Sequence, residues 1–301
     1  NSSATGNVNG TTDVGGLVGY VSSSTISNSS ATGNVTGNGS VIGGVVGFLA
    51  DTSTISNSSA TGNVNGTNID GSNSVGGLIG SSTGNVTGSY ATGNVYSTGI
   101  NTGGLVGLAN GVKNISNSYA TGNVTSTGAT DSKAGGLIGS SLTSNIFNSY
   151  ATGNVYGSSD VGGLVGLSNS FNNISNSFST GSVSGYYNHY GGLVGFSNDD
   201  DNSNIINSYW NNHSGNPDFC YTNSSQVESN INCTAIEDNV AYFQGDVYPS
   251  NAPMSSWLFF SVWEERLADY PVLTWQDLGG SITNTGPLNA TVVINSTDGT
   301  N

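Results

Sequence analysis

Three sets of apolar positions return along the first two-thirds of the chain, each flanked by small polar residues. Counted from a recurring Gly-Gly pair, the first set is Leu17-Val18, Val45-Val46, Leu78-Ile79, Leu105-Val106, Leu137-Ile138, Leu164-Val165 and Leu193-Val194. A β-branched residue follows at Ile26, Ile55, Val86, Ile115, Ile146, Ile174 and Ile205, and a valine at Val8, Val35, Val64, Val95, Val124, Val155 and Val183. The pairs start at Gly15, Gly43, Gly76, Gly103, Gly135, Gly162 and Gly191, with steps from 27 (Gly76 to Gly103) to 33 (Gly43 to Gly76). Insertions fall in the polar stretches, where loops belong. Apolar runs this short, broken by Gly-Asn and Asn-Gly corners, predict short strands. One such unit cannot bury its apolar side alone, whereas stacked units align equal positions into ladders and close a continuous core. The predicted fold is all-β, a parallel β-solenoid (β-helix) of about seven coils with a C-terminal capping region. At a strand spacing of about 4.7–4.9 Å the rod would be roughly 35 Å long. An antiparallel hairpin array is the alternative, because periodicity does not fix strand direction.

Two further series accompany the apolar ones. Asn28, Asn57, Asn117, Asn148, Asn176 and Asn207 hold one place, interrupted by Gly88, and are expected to form a structural ladder of amides along the axis. Two residues on stand Ser3, Ser30, Ser59, Tyr90, Tyr119, Tyr150, Phe178 and Tyr209. Their parity matches that of the Ile, which predicts an inward aromatic ladder; an outward one would offer rings to sugars.

The combination of GGLVG with ISNSYATGNV resembles the GLUG repeat family, named for its Gly-Leu-hydrophobic-Gly motif. It is met at Gly16-Leu17-Val18-Gly19, Gly104-Leu105-Val106-Gly107, Gly163-Leu164-Val165-Gly166 and their counterparts, over about residues 1–215. The resemblance implies a surface module of the kind found in large bacterial and archaeal proteins, including adhesins and some immunoglobulin-cleaving metallopeptidases. Peptidase activity is not carried over: it needs a His-Glu-x-x-His zinc site, and neither His189 nor His213 is followed by Glu.

Composition sharpens the picture. Charged residues are 7% of the chain against roughly 25% in ordinary domains, and Gly accounts for 46 positions, which argues against a helical protein. The net charge of −15 repels phosphate backbones and excludes nucleic acid as a partner. No apolar run reaches the roughly 18 residues of a spanning helix, so no membrane insertion is expected in this segment. The opening Asn1 to Val8 reads as half a repeat, which suits a fragment better than a mature start. Cys220 and Cys233 flank a polar loop; a disulfide, with the oxidising compartment it implies, is the favoured reading and two free thiols the other. About sixteen Asn-x-Ser/Thr sequons point the same way, with Asn34, Asn114, Asn123, Asn173, Asn223, Asn289 and Asn295 as glycosylation candidates, several of them silent.

After Tyr209-Trp210 the repeat stops, giving residues 1–215 as the GLUG-like β-solenoid, 216–278 as a disulfide-containing, Trp-rich C-terminal cap, and 279–301 as a tail, linker or donated strand. Trp257, Phe259, Trp263, Tyr270, Leu273 and Trp275 are suited to cover the open end, and residues 236–243 to form a short helix. Asp199, Asp200 and Asp201 form the one acidic cluster. Ca²⁺ is the cofactor they would hold, but their spacing fits neither the EF-hand nor the Ca²⁺ nonapeptide, and a solvated loop is the favoured reading. No acid and base pair, Ser-His-Asp set or phosphate loop can be assembled, so no catalytic residue and no organic cofactor is assigned. The expected function is a non-enzymatic extracellular structural protein at the cell surface, the shaft of an adhesin or the repeating subunit of a filament or sheath. Its partners would be copies of itself, head to tail, and glycans of host or neighbouring cells. A carbohydrate-binding adhesion module using the aromatic stripe is the first alternative, and a polysaccharide-degrading β-helix enzyme the second.

Overall fold

The computed structural model describes residues 1–67, 73–111, 114–128, 131–169, 172–186, 189–198, 204–212, 215–223, 228–229, 233–236, 253–259, 261–266 and 269–277. A single coil shows how the sequence builds the rod. It runs through five strands, Ser74–Gly76, Ile79–Ser82, Asn85–Thr87, Tyr90–Ala91 and Val95–Ser97. Each strand stacks on its equivalents in other coils, which gives an entry sheet, a wide sheet, an isoleucine sheet, an aromatic sheet and a valine sheet of seven, nine, seven, nine and seven strands. Every pairing between coils is parallel and in register: Ile55 stands between Ile26 and Val86, and Val64 between Val35 and Val95. The hairpin array is thereby excluded for the described residues. Among the described residues, antiparallel pairing is confined to Tyr221–Asn223 with Glu228–Ser229 and Trp263–Arg266 with Asp269–Leu273.

In cross-section the coil has two apolar lobes. The larger is filled by Leu78, Ile79, Leu105, Val106 and their equivalents, by Ile55, Ile115 and Ile146, and by Ala60, Ala91 and Ala120 from the aromatic sheet. The smaller lies between the valine and entry sheets and holds Val35, Ile42, Val64, Val75 and Val95, continued by Val124, Ala134, Val155 and Val161. The Gly-Gly pair passes between the lobes, and its composition follows from contact. A Cβ on Gly77 would collide with the Gly104 carbonyl of the next coil and with the Ala91 methyl.

The last coil is closed by the residues that follow it. Tyr221–Asn223 extends the wide sheet and Cys233–Ile236 the aromatic sheet, and Cys220 and Cys233 are joined as a disulfide at the end of the main core. Trp210, fully buried, fills the space beside Gly192 and donates its indole N–H to the Pro217 carbonyl at 3.1 Å. Both sheets thus continue past residue 215. Of the helix expected over 236–243, Ile236 instead ends a strand and 237–243 lie outside the described residues, as do the Asp199–Asp201 cluster and the tail 279–301 with Asn289 and Asn295.

Candidate functional site

The repeated corner Ile-Ser-Asn-Ser positions everything on the flank of the rod. Ile26, Ile55 and their equivalents point into the main core, and the Asn two residues later takes a left-handed backbone: φ is 48° at Asn28, 47° at Asn57, 48° at Asn117, 49° at Asn148, 48° at Asn176 and 49° at Asn207. Gly88, the one interruption, has φ 55°. The common property of this series is tolerance of positive φ, which Asn and Gly share. Amide stacking is the smaller part of its role, seen where Asn148 Nδ2 donates to Asn117 Oδ1 at 3.2 Å. The following serine, absent from the sequence-based ladders, forms the corner's strongest ladder. The Ser58 hydroxyl donates to the Ser56 carbonyl at 2.8 Å and accepts the Ser29 N–H of the preceding coil at 3.2 Å, and Ser89, Ser118, Ser149, Ser177 and Ser208 repeat the arrangement. These hydroxyls satisfy backbone groups that a buried corner would otherwise orphan.

The left-handed Asn also reverses parity, and this corrects the aromatic ladder. Ala91 and Ala120 face the core, so Tyr90, Tyr119, Tyr150, Phe178 and Tyr209 face outward. They are nevertheless covered. Residues 253–259, 261–266 and 269–277 run back along the flank as a strap, with Trp257 over Phe178 and Tyr209 (ring centroids 6.0 and 5.6 Å), Trp263 over Tyr150 and Phe178 (6.1 and 5.7 Å), and Trp275 over Tyr90 and Tyr119 (6.0 and 5.7 Å). The Trp-rich segment therefore covers the side of the rod, where the sequence placed it across the end. Successive rings stack face to face at 4.8–5.0 Å, the coil spacing itself. Gln276 ties strap to stripe by donating to the Tyr150 hydroxyl at 2.8 Å. Burial pushes the phenols of Tyr119 and Tyr209 up to about 12. With its rings stacked and roofed, this stripe offers no open face to a sugar.

A polar column crosses three coils of the entry sheet, where Lys133, Asp160 and His189 are register partners. The His189 Nδ1 lies 3.0 Å from Asp160 Oδ1, and Lys133 Nζ lies 2.7 Å from Asp131 Oδ1. Desolvation raises the Asp160 carboxyl above its ordinary range, partly offset by His189 and Lys133. Among the described residues no three His, Cys, Asp or Glu side chains come together where they could hold a metal ion.

Of the sequon asparagines, Asn34, Asn114, Asn123 and Asn173 are exposed and Asn223 is half-buried. Asn34 and Asn123 belong to a ladder that sequence reading missed, Asn7, Asn34, Asn63, Asn94, Asn123 and Asn154, in which each Oδ1 accepts the backbone N–H at the same place in the next coil at 2.8–2.9 Å. Its signal was the repeated Thr-Gly-Asn. At the first coil the strands Ser3–Ala4, Val8–Gly10, Asp13–Gly15, Val18–Ser22 and Thr25–Ser27 each pair on one side, and Leu17, Val18 and Ile26 are incompletely buried.

No curated protein and no solved structure matches the chain. The family model described as "The GLUG motif" matches residues 10–36, 38–65 and 132–156. Each match falls within the stacked region, and the GLUG repeat and β-solenoid together fit a structural repeat protein. The chain thus carries the GLUG motif at three repeat positions of the rod, in agreement with the resemblance read from its sequence.

Proposed function

We propose that the chain is a non-enzymatic structural element of the cell surface, either the shaft of an adhesin or the repeating subunit of a filament or sheath. The observation that carries this reading is the in-register stack. Backbone, serine, asparagine and apolar ladders repeat at every coil, which gives a stiff rod whose first-coil edge has the shape and pairing groups to receive another coil. That coil can come from the same polypeptide, as in a shaft, or from a second copy, as in a filament built head to tail. An extracellular setting is supported by the disulfide, by the exposed sequons and by the charge of −15. Surface glycans and a Ca²⁺ ion at Asp199, Asp200 and Asp201 belong to the same proposal.

Electron microscopy of the native material tests the reading, with intact mass before and after deglycosylation on the same sample. Regular filaments of short axial repeat identify a building block; single rods on a larger polypeptide identify a shaft. Compact particles without a rod would overturn both forms, and an unchanged mass would remove glycosylation.

A further inference from the structure

The outer face of the valine sheet presents Asn9, Thr36, Asn65, Tyr96, Thr125, Tyr156 and Ser184 in one register row along the rod. The valines beside them point inward, so these middle residues face solvent. Tyr96 is 40% exposed, and Tyr186, next to the row's end, is 77% exposed. The two tyrosines of the row are separated by Thr125, so they stand two coils apart, about 9.5 Å from the strand spacing.

That spacing changes what the rings can do. On the aromatic sheet, tyrosines on consecutive coils stack upon each other and use up their faces. On the valine sheet the alternate-coil placement keeps Tyr96 and Tyr156 from stacking on each other. Tyr96 is laid along the rod, its hydroxyl 3.0 Å from Thr127 Oγ1 one coil further on. Tyr156 meets Tyr186 edge to face, with centroids 5.8 Å apart and planes at 72°. The row itself contains no charged side chain, and between the two tyrosines stands the Thr125 hydroxyl.

From this arrangement we infer that the valine-sheet face is a binding strip for an extended, uncharged β-linked glycan, with Tyr96 and Tyr156 each stacking on a sugar ring. In such a chain the same ring face returns at every second sugar, a repeat close to the two-coil separation. Thr125 between the rings, and Ser184 one coil beyond Tyr156, lie where they can bond sugar hydroxyls. A strip without charge on a molecule of net charge −15 selects against anionic polymers. The strip lies on the flank and needs no rod-to-rod assembly, so it goes beyond the structural role and can fail without affecting it.

The test uses the whole chain. Retention on insoluble cellulose and chitin is measured beside titration with cellohexaose and chitohexaose, with alginate as the anionic probe and a disaccharide as the short one. The expected result is binding of at least one uncharged hexasaccharide, no measurable binding of the disaccharide, and an affinity loss of about tenfold in either Tyr96→Ala or Tyr156→Ala. Tyr96→Phe, which keeps the ring, should bind as the parent does, and so should Tyr20→Ala on the wide sheet. Unchanged thermal unfolding of each variant separates lost binding from lost fold. Failure of every uncharged probe to bind, undiminished binding by the Tyr96→Ala/Tyr156→Ala double variant, or equal competition by alginate would overturn the inference.

Discussion

At the scale of single residues, backbone conformation decides more than side-chain chemistry. The asparagine series sits where φ is near +48°, a region that costs an ordinary L-residue about 1–2 kcal/mol and Gly nothing. Replacing Asn117 by Gly should therefore leave stability within about 0.5 kcal/mol, as Gly88 already shows to be tolerated, while Asn117→Val should cost about 1–2 kcal/mol or more, read by urea unfolding. Equal losses for both variants would return the role to the amide. The substitution of Gly for Asn was visible in the sequence and could have identified the corner; what hid it was the plausibility of an amide ladder. Asp160 offers a second prediction. Burial raises its folded-state pKa above the ordinary 3.8, against the pull of His189, Lys133 and the Ser159 hydroxyl that face it. A raised carboxyl pKa means that the favourable protonated state is fully present below pH 3.8 and is lost as pH rises through the folded value. Asp160→Asn should therefore unfold at a higher temperature than the parent at neutral pH, the difference closing as pH falls toward 3.8. A difference that stays constant with pH would show that the carboxyl's ionisation is not its source.

Individual strands were legible because burial repeats their apolar residues coil after coil; strand direction was not, since periodicity is the same for coils and hairpins, and the parallel in-register pairing settles it. The aromatic ladder was not legible in the same way. Counting parity from Ile115 to Tyr119 assumes a continuous strand, and the left-handed Asn117 between them breaks it, so the ring emerges outside while Ala120 takes the inward place. The change from Ser3, Ser30 and Ser59 to Tyr90 and beyond now has a cause: the aromatic positions are those within reach of the strap. Strap and stripe should separate as one element at alkaline pH. Tyr119 and Tyr209 are raised from 10.0 to about 12 by burial, so the stabilisation from keeping these phenols neutral is complete below pH 10 and is lost as pH rises through about 12. Tyrosine absorbance should show a late phase near that pH, accompanied by a change in tryptophan fluorescence from Trp257, Trp263 and Trp275. Trp263→Ala, which removes a fully buried ring at the centre of the strap, should bring the phase to lower pH and cost about 3 kcal/mol. Fluorescence changing well before the late absorbance phase would show that the strap leaves without those phenols ionising.

For the molecule as a whole, the solenoid adds coils as nearly equivalent nearest-neighbour units, whereas the strap reads absolute position along the rod. Deleting whole coils tells the two apart. Register pairs Gly43 with Gly76 and Gly103 with Gly135, so removing residues 44–76 or residues 104–135 rejoins equivalent glycines and leaves each internal ladder intact. The first deletion lies on the serine side of the stripe, at Ser59, outside the strap's aromatic contacts. The second removes Tyr119 and shortens the stripe by one coil beneath a strap of unchanged length, so Trp275, Trp263 and Trp257 can no longer all meet their rings. Both variants should keep the β-sheet circular dichroism of a solenoid. The variant lacking 44–76 should also keep the parent's tryptophan emission and late alkaline phase, and lose only the stability of one coil interface. The variant lacking 104–135 should show red-shifted tryptophan emission and ionise its remaining stripe tyrosines at lower pH. If the two deletions behave alike, the strap is not held in register by the aromatic ladder, and the lateral clamp is an accident of packing rather than the reason the tyrosines begin at the fourth coil.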